Sequence, residues 1–138
     1  MIDNERLKHI FAVAKLMKDK AKMIGLDEEQ MFTLGLLHDI GYEFGENNDH
    51  NVVGYEILNK QNYMYSKEVL YHGKPNCEYK SLALDLLNFA DMHIDKKGNY
   101  VSFEKRLEDI KNRRGERSLA YINSKKVIDE LINKGFLM

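Results

Sequence analysis

Residues 31–41 read MFTLGLLHDIG, an apolar run that ends in a histidine and an aspartate. The four residues before it, 27–30, read DEEQ, which fits the capping-box pattern of an N-cap residue followed three positions later by Glu or Gln. The run is apolar nearly all round, which is typical of a central helix that its neighbours bury. We therefore predict a buried helix whose end carries His38 and Asp39.

Helical periodicity continues on both sides of this stretch, because apolar residues recur three and four positions apart along almost the entire chain. Residues 45–48 (GENN) and 95–99 (DKKGN) are expected to be polar turns, and residues 69–71 (VLY) have the composition of a strand but no partner strand. The sequence predicts an all-α, single-domain bundle of about six to seven helices over residues 1–138. Besides the central helix, helices are expected over about residues 4–23, 49–62, 66–72, 81–94, 102–114 and 119–134.

Composition is that of one globular domain. The chain has 138 residues, of which 43% are hydrophobic and 31% charged, with a formal net charge of -1. This balance argues against a dedicated nucleic-acid-binding protein, which usually has a strongly basic face. The single cysteine, Cys77, cannot form an internal disulfide, so we expect a cytoplasmic protein. The first residues, MIDNER, lack a signal-peptide pattern, and no apolar stretch approaches the roughly 20 residues that span a bilayer.

The pair His38-Asp39 carries the first chemical signal. Burying a carboxylate and an imidazole without partners costs roughly several kcal/mol. A divalent cation would compensate directly, because both groups are common ligands of zinc, iron, manganese and nickel. The alternative is structural: His38 caps the end of the helix and Asp39 begins the turn.

Other polar residues occupy similar positions on the neighbouring predicted helices. Asp91 lies beside an apolar stripe near the end of its helix, and His9 lies on the core edge of the first helix. His50 precedes an amphipathic helix, and His72 ends a short one, where the helix dipole also favours histidine. Each has a structural alternative at a helix edge or terminus. His93 follows Asp91 by two positions and therefore points to a different face, so we predict that it is not a ligand.

Taken together, these residues supply one or two groups from each of several helices, which is how helix bundles build metal sites. On them the chain resembles the HD superfamily of metal-dependent phosphohydrolases, over roughly residues 9–107. The segments that carry the resemblance are LKHI (7–10), GLLHDIG (35–41), HNVVG (50–54), His72 and ADM (90–92).

The resemblance implies a ligand set. The minimal site of the superfamily is its first histidine, the His-Asp pair and the last aspartate, and two-metal members add two histidines between the pair and that aspartate. Asp39 would then bridge the two metals. The implied ligands of one or two divalent iron, manganese, zinc or nickel ions are His9, His38, Asp39, His50, His72 and Asp91.

The resemblance also implies a reaction: hydrolysis of a phosphoester or phosphoanhydride bond by a metal-activated water. The implied catalytic residues are Asp39, which orients the water, and His50 and His72, which hold a second metal or assist proton transfer. The ligand set is similar to that of small bacterial HD hydrolases of dinucleoside polyphosphates. However, Tyr42 stands where many relatives have lysine, and Gly73 where that group has threonine. The substrate is therefore left as a small phosphorylated molecule, with a nucleotide favoured.

Several further residues are candidates near this site. Lys74 is the candidate substrate-binding residue, with simple solvent exposure as its alternative. Arg106, Arg113 and Arg114 could also contact phosphate, although helical arginines usually form a solvated face. Asp95 is a candidate hydrogen-bond partner of a ligand, with capping of its turn as the alternative.

Two functional alternatives stay open at this point. One is an HD-type module that binds metal and nucleotide with little turnover and acts as a sensor or partner protein. The other is a structural bundle whose histidines have no common role. No membrane partner is expected, and the sequence leaves a homodimer open.

Overall fold

The computed structural model describes residues 3–44 and 49–136, and α-helices make up nearly all of the regular structure there. The only strand-like feature in these two ranges is an isolated antiparallel bridge between Ile94 and Tyr100. The all-α prediction is therefore confirmed. The helices are α1 (Asn4–Ala21), α2 (Glu28–Leu37), α3 (Gly41–Phe44), α4 (His50–Lys60), α5 (Ser66–Tyr71), α6 (Leu82–His93), α7 (Phe103–Arg114) and α8 (Leu119–Asn133), and a 3-10 turn over Lys22–Ile24 follows α1.

Short polar side chains begin the long helices, and the predicted cap Asp27 is one of them. The carboxylate of Asp27 accepts a hydrogen bond from the backbone N–H of Gln30 at 2.8 Å, which satisfies one of the free N–H groups at the start of α2. The reciprocal half of the capping box does not form, because Oε1 of Gln30 accepts the hydroxyl of Tyr65 at 3.1 Å instead. The other side-chain N-caps are Asp3, Asp49, Ser81, Ser102 and Ser118.

The central helix of the bundle is α6 rather than α2. Nine of the twelve residues of α6 are buried, whereas α2 buries one face and leaves Phe32, Leu36 and Leu37 half-buried. The prediction that α2 is buried all round is therefore wrong: α2 lies against α1, and its other side faces the surface. The contact between α1 and α2 is close at Gly35, where a Cβ atom would overlap the backbone of Ala14.

Three differences from the predicted elements concern the connections. Residues 41–44 form the short helix α3, which the sequence did not predict. Residues 69–71 belong to α5 and not to a strand, and the turn at 95–99 is present. The predicted polar loop at 45–48 lies outside the described residues. None of the described helices combines the length and the apolar character that crossing a bilayer requires.

Candidate metal centre

His38 and Asp39 follow directly after α2, and both side chains are buried, with 1% and 7% of their surface exposed. Nδ1 of His38 lies 2.6 Å from the carbonyl oxygen of Gly35, one turn back in the helix. A carbonyl oxygen only accepts hydrogen bonds, so this nitrogen carries the proton and donates it. The structural alternative is therefore confirmed for His38, which caps the helix, and the same hydrogen bond turns Nε2 towards the interior.

His72 repeats this arrangement at the end of α5. Its Nδ1 donates to the carbonyl oxygen of Val69 at 2.7 Å, and its Nε2 lies 3.5 Å from Oδ1 of Asp39. The backbone on either side of His72 is also held in place. Asn51 donates to the carbonyl oxygen of His72 at 2.8 Å, and the N–H of Gly73 donates to the side chain of Asn88 at 2.8 Å.

His9 reaches the same region from α1. Its Nδ1 donates to the backbone carbonyl of Asp95 at 2.9 Å, and its Nε2 lies 2.8 Å from Oδ1 of Asp91. The carboxylate of Asp95 caps its own turn by accepting the N–H groups of Lys97 and Asn99, each at 2.9 Å. Turn capping was therefore the correct role for that carboxylate, and the contact with His9 comes from the main chain of Asp95.

The three Nε2 atoms converge on two carboxylates. Nε2 of His38 lies 3.2 Å from Oδ2 of Asp39 and 3.7 Å from Oδ1 of Asp91, and it has no hydrogen-bond partner among the described residues. Because each Nδ1 donates its proton to a carbonyl, each neutral ring turns the lone pair of Nε2 towards negative oxygens. This arrangement is repulsive unless a proton or a metal ion lies between them.

The donor set fits a divalent transition metal. The donor atoms of His9, His38 and Asp39 lie within 4.8 Å of one another, and His38, His72 and Asp91 form a second group of this kind. Imidazole nitrogen and carboxylate oxygen suit zinc, iron, manganese and nickel alike. Hydrogen bonds from the far side of each ring to fixed acceptors are also typical of histidine ligands of metals.

Charge coupling within the cluster favours the ionised forms of His38, Asp39 and Asp91. Burial alone lowers the pKa of His38, but Asp39 and Asp91 act in the other direction and raise it well above its usual value. Burial raises the pKa of both carboxyl groups, but the histidines beside them hold each pKa well below its usual range. Two carboxylates that stay negative in a buried site attract a cation strongly.

His50 is not brought into either donor group. Its ring stacks on that of Tyr42 with centroids 3.7 Å apart, and its buried Nδ1 has no partner among the described residues. The guanidinium of Arg6 lies 3.5 Å from the centroid of the same tyrosine ring. The main chain of His50 approaches Gly41 so closely that a Cβ atom there would overlap the His50 carbonyl oxygen. A ligand role for His50 stays a prediction from the sequence.

His93 also lies apart from the cluster, as its position in the sequence predicts. Its Nδ1 donates to the carbonyl oxygen of Val101 at 2.7 Å, and its ring stacks on Phe103 with centroids 4.0 Å apart. Burial lowers the pKa of His93, which favours the neutral ring among these aromatic neighbours.

A cavity of about 590 Å³ gives access to the cluster. His9, Asp39, His72 and Asp91 all line it. Lys74 lines it as well, and its ammonium lies 3.2 Å from the carboxylate of Asp49, so this candidate is engaged in an ion pair. The other basic side chains that line the cavity are Arg6, Lys96, Arg106, Arg113 and Arg114.

Sequence reasoning missed two residues that contact the cluster. Nη1 of Arg6 lies 3.4 Å from Oδ2 of Asp39, and Asn51 holds the main chain of His72. Arg6 carried a usable signal, because it precedes His9 by three positions and therefore shares its face of α1. Asn51 carried no such signal in the sequence, because its hydrogen-bond partner lies 21 residues away in the chain.

Comparison with known proteins supplies a family and two partial relatives. The family model described as HD domain matches residues 6–131. A ribonuclease Y of Mycoplasma mycoides is 45% identical over 58 residues, which are 41% of this chain and 14% of that protein. A ribonuclease Y of Mycoplasma capricolum subsp. capricolum has the same identity over 58 residues, or 11% of its length. The match thus spans only a small part of both ribonucleases. No solved structure matches the chain.

Proposed function

The chain belongs to the HD domain family of metal-dependent phosphohydrolases. We therefore propose that it hydrolyses a phosphoester or phosphoanhydride bond in a small phosphorylated molecule such as a nucleotide. The observation that supports the proposal is the buried cluster of imidazole and carboxylate donors on a cavity with basic side chains in its wall. The cavity volume of about 590 Å³ is in the range that holds a small molecule.

The five converging side chains would hold the metal: Nε2 of His9, His38 and His72, and the carboxylates of Asp39 and Asp91. A divalent transition metal there supplies positive charge for phosphate oxygens and activates water near neutral pH. The protein's part is to fix these donors, and it does so through the main-chain carbonyls that accept from each Nδ1.

Asp39 is the side chain best placed to assist the attacking water. Its two oxygens face different partners, with Oδ1 near His72 and Oδ2 near His38 and Arg6. Because its pKa is held well below the usual range, the carboxylate is ionised near neutral pH and can orient water by accepting a hydrogen bond from it. Arg6 beside it is a donor for a phosphate oxygen.

The test combines metal analysis with turnover. The purified protein is analysed for bound metal and assayed on p-nitrophenyl phosphate, bis-p-nitrophenyl phosphate and nucleotides with added manganese, iron or nickel. We expect His38→Ala and Asp39→Ala to lose both metal and activity, whereas Asp19→Ala, at an exposed position on α1, keeps both. Full metal content in either site variant would show that the ligand assignment is wrong.

The ribonuclease similarity favours a second substrate class, the phosphodiester of a short RNA. A labelled oligoribonucleotide in the same assay separates the two classes, because only this second candidate predicts its cleavage. A third result would support the binding-module alternative: metal is bound and nucleotides raise the melting temperature, but no substrate turns over.

A further inference from the structure

The buried guanidinium of Arg106 has fewer partners than its charge requires. Arg106 lies on α7 with 7% of its surface exposed, and it lines the cavity. Its Nε donates to the backbone carbonyl of Asp91 at 3.1 Å, and its Nη2 lies 4.0 Å from Oδ1 of Asp91. Nη1 has no hydrogen-bond partner in the part of the chain that the structure describes. A buried cation with unused donors is costly unless an anion completes its surroundings.

Two more arginines of α7 line the same cavity. Arg113 and Arg114 follow Arg106 by seven and eight positions, so the three project from one side of the helix. Neither has a carboxylate within ion-pair distance among residues 3–44 and 49–136. Burial lowers the pKa of Arg113, and the positive charges of Arg106 and Arg114 lower it further. Asp109 acts in the opposite direction on Arg113, and both Arg113 and Arg114 are exposed, so these guanidinium groups are open to a ligand that enters the cavity.

The acidic residues of the cavity wall are engaged elsewhere. Glu5 pairs with Lys96 at 3.9 Å, and Asp49 pairs with Lys74 at 3.2 Å. Asp3 caps the first turn of α1, and the two remaining carboxylates belong to the metal centre. Apart from the 4.0 Å contact of Asp91 with Nη2 of Arg106, these carboxylates supply no partner to the α7 arginines, and an anion in the cavity would do so.

We propose that Arg106, Arg113 and Arg114 form a phosphate subsite beside the metal centre, and that the substrate carries a second phosphate group next to the one that reacts. This inference depends on the proposed function only for the phosphate group that reacts at the metal centre. A molecule with linked phosphates places one group at the buried carboxylate-histidine cluster and the next on the guanidinium groups. A lone phosphomonoester leaves the arginines without a partner. The substrate class is therefore a diphosphate or longer polyphosphate.

The experiment measures binding of pyrophosphate and of orthophosphate to the full chain by calorimetry. The variant is Arg113→Gln/Arg114→Gln, and the control, with the same change of charge, is Lys111→Gln/Arg117→Gln, at exposed positions that do not line the cavity. We expect the parent protein to bind pyrophosphate at least about tenfold tighter than orthophosphate, since charged hydrogen bonds contribute this much. The arginine variant should lose this preference, and the control should keep it.

A separate arm repeats the measurement in His38→Ala, whose metal centre is disabled. Removing Arg113 and Arg114 should weaken pyrophosphate binding there as well, because the α7 side chains contact one phosphate group without the metal centre. If the preference is the same with and without Arg113 and Arg114, the subsite is wrong, whatever the protein hydrolyses. If no phosphorylated compound is turned over but the preference depends on these arginines, the proposed function fails and the subsite stands. Arg106→Lys keeps the positive charge at this position but removes hydrogen-bond donors. We expect this variant to bind pyrophosphate more weakly than the parent protein does, and unchanged binding would exclude Arg106 from the subsite.

Discussion

His9 and Asp91 are 82 residues apart in the chain, and their side chains meet with Nε2 2.8 Å from Oδ1. The contact joins the first helix to the central helix α6 at the candidate metal centre. Both side chains are buried in the helix packing and also line the cavity. The packing of α1 against α6 therefore sets the distance between two groups of the candidate metal centre.

Removing the metal should lower the melting temperature. A ligand that binds the folded state alone, present at 100 times its dissociation constant, adds about 2.7 kcal/mol to the free energy of unfolding. For a chain of this size that corresponds to roughly 5–10 °C. Calorimetric scans with and without a chelator measure the shift. His38→Ala should melt at the same temperature in both scans, and a parent protein unaffected by the chelator would contradict a metal centre.

Asp91→Asn should cost most of the bound metal with little change of shape. The substitution removes one negative charge while it keeps the volume of the side chain, so the donor set loses its attraction for a cation. We expect affinity for manganese or zinc to fall at least about tenfold, as for other altered metal sites. The control is Asp85→Asn on the same helix, whose carboxylate pairs with Lys134 at 2.9 Å. Equal affinities in the two variants would exclude Asp91 as a ligand.

His72→Ala should lower metal content far more than His50→Ala. The structure brings Nε2 of His72 to 3.5 Å from Asp39, whereas the ring of His50 is held against Tyr42. Elemental analysis of both variants decides the matter. Equal losses would mean that His50 joins the centre when metal binds, as the sequence predicts for a two-metal site.

Gly41→Ala should destabilise the protein more than Gly25→Ala. A Cβ at position 41 overlaps main-chain atoms of His50, and main chain can move only with its helix, so we expect a loss of about 3 kcal/mol. Gly25 has φ 76° but open space around it, so its substitution carries only the left-handed backbone cost of about 1 kcal/mol. Urea unfolding of both variants gives the comparison. A smaller loss at position 41 would contradict this close approach.

Glu68→Ala should weaken the attachment of α5, the helix that ends at His72. The buried carboxylate of Glu68 accepts the hydroxyls of Tyr79 at 2.7 Å and Ser81 at 2.6 Å. Removing it leaves two partly buried donors without their acceptor, which costs about 2–3 kcal/mol. Glu56→Ala, at an exposed position on α4, is the control and should unfold at the parent's urea midpoint. An unchanged midpoint for Glu68→Ala would show that the two hydroxyls find water instead.

Helix positions followed from the sequence to within a few residues because their signals are local. Asp27 caps the helix that it was predicted to cap, since an N-cap bonds to N–H groups only two or three positions away. The burial of α2 did not follow, because an apolar surface does not reveal which neighbour covers it. Here α1 covers one face of α2, and the long α6 takes the central position.

The sequence by itself determined which residues are candidate donors and in what order they occur. His9, His38, Asp39, His72 and Asp91 are polar residues at the edges or ends of apolar helices, and the resemblance to the HD superfamily implied them as ligands. Only the tertiary structure decided which of them meet. His50 passed the same sequence criteria and is held instead by Tyr42 and the close approach at Gly41, while Arg6 joined the site unpredicted. The reason is physical: residue type and periodicity depend on neighbours along the chain. Convergence of donor atoms within a few ångströms depends on how separate helices pack, and a single sequence does not encode this locally.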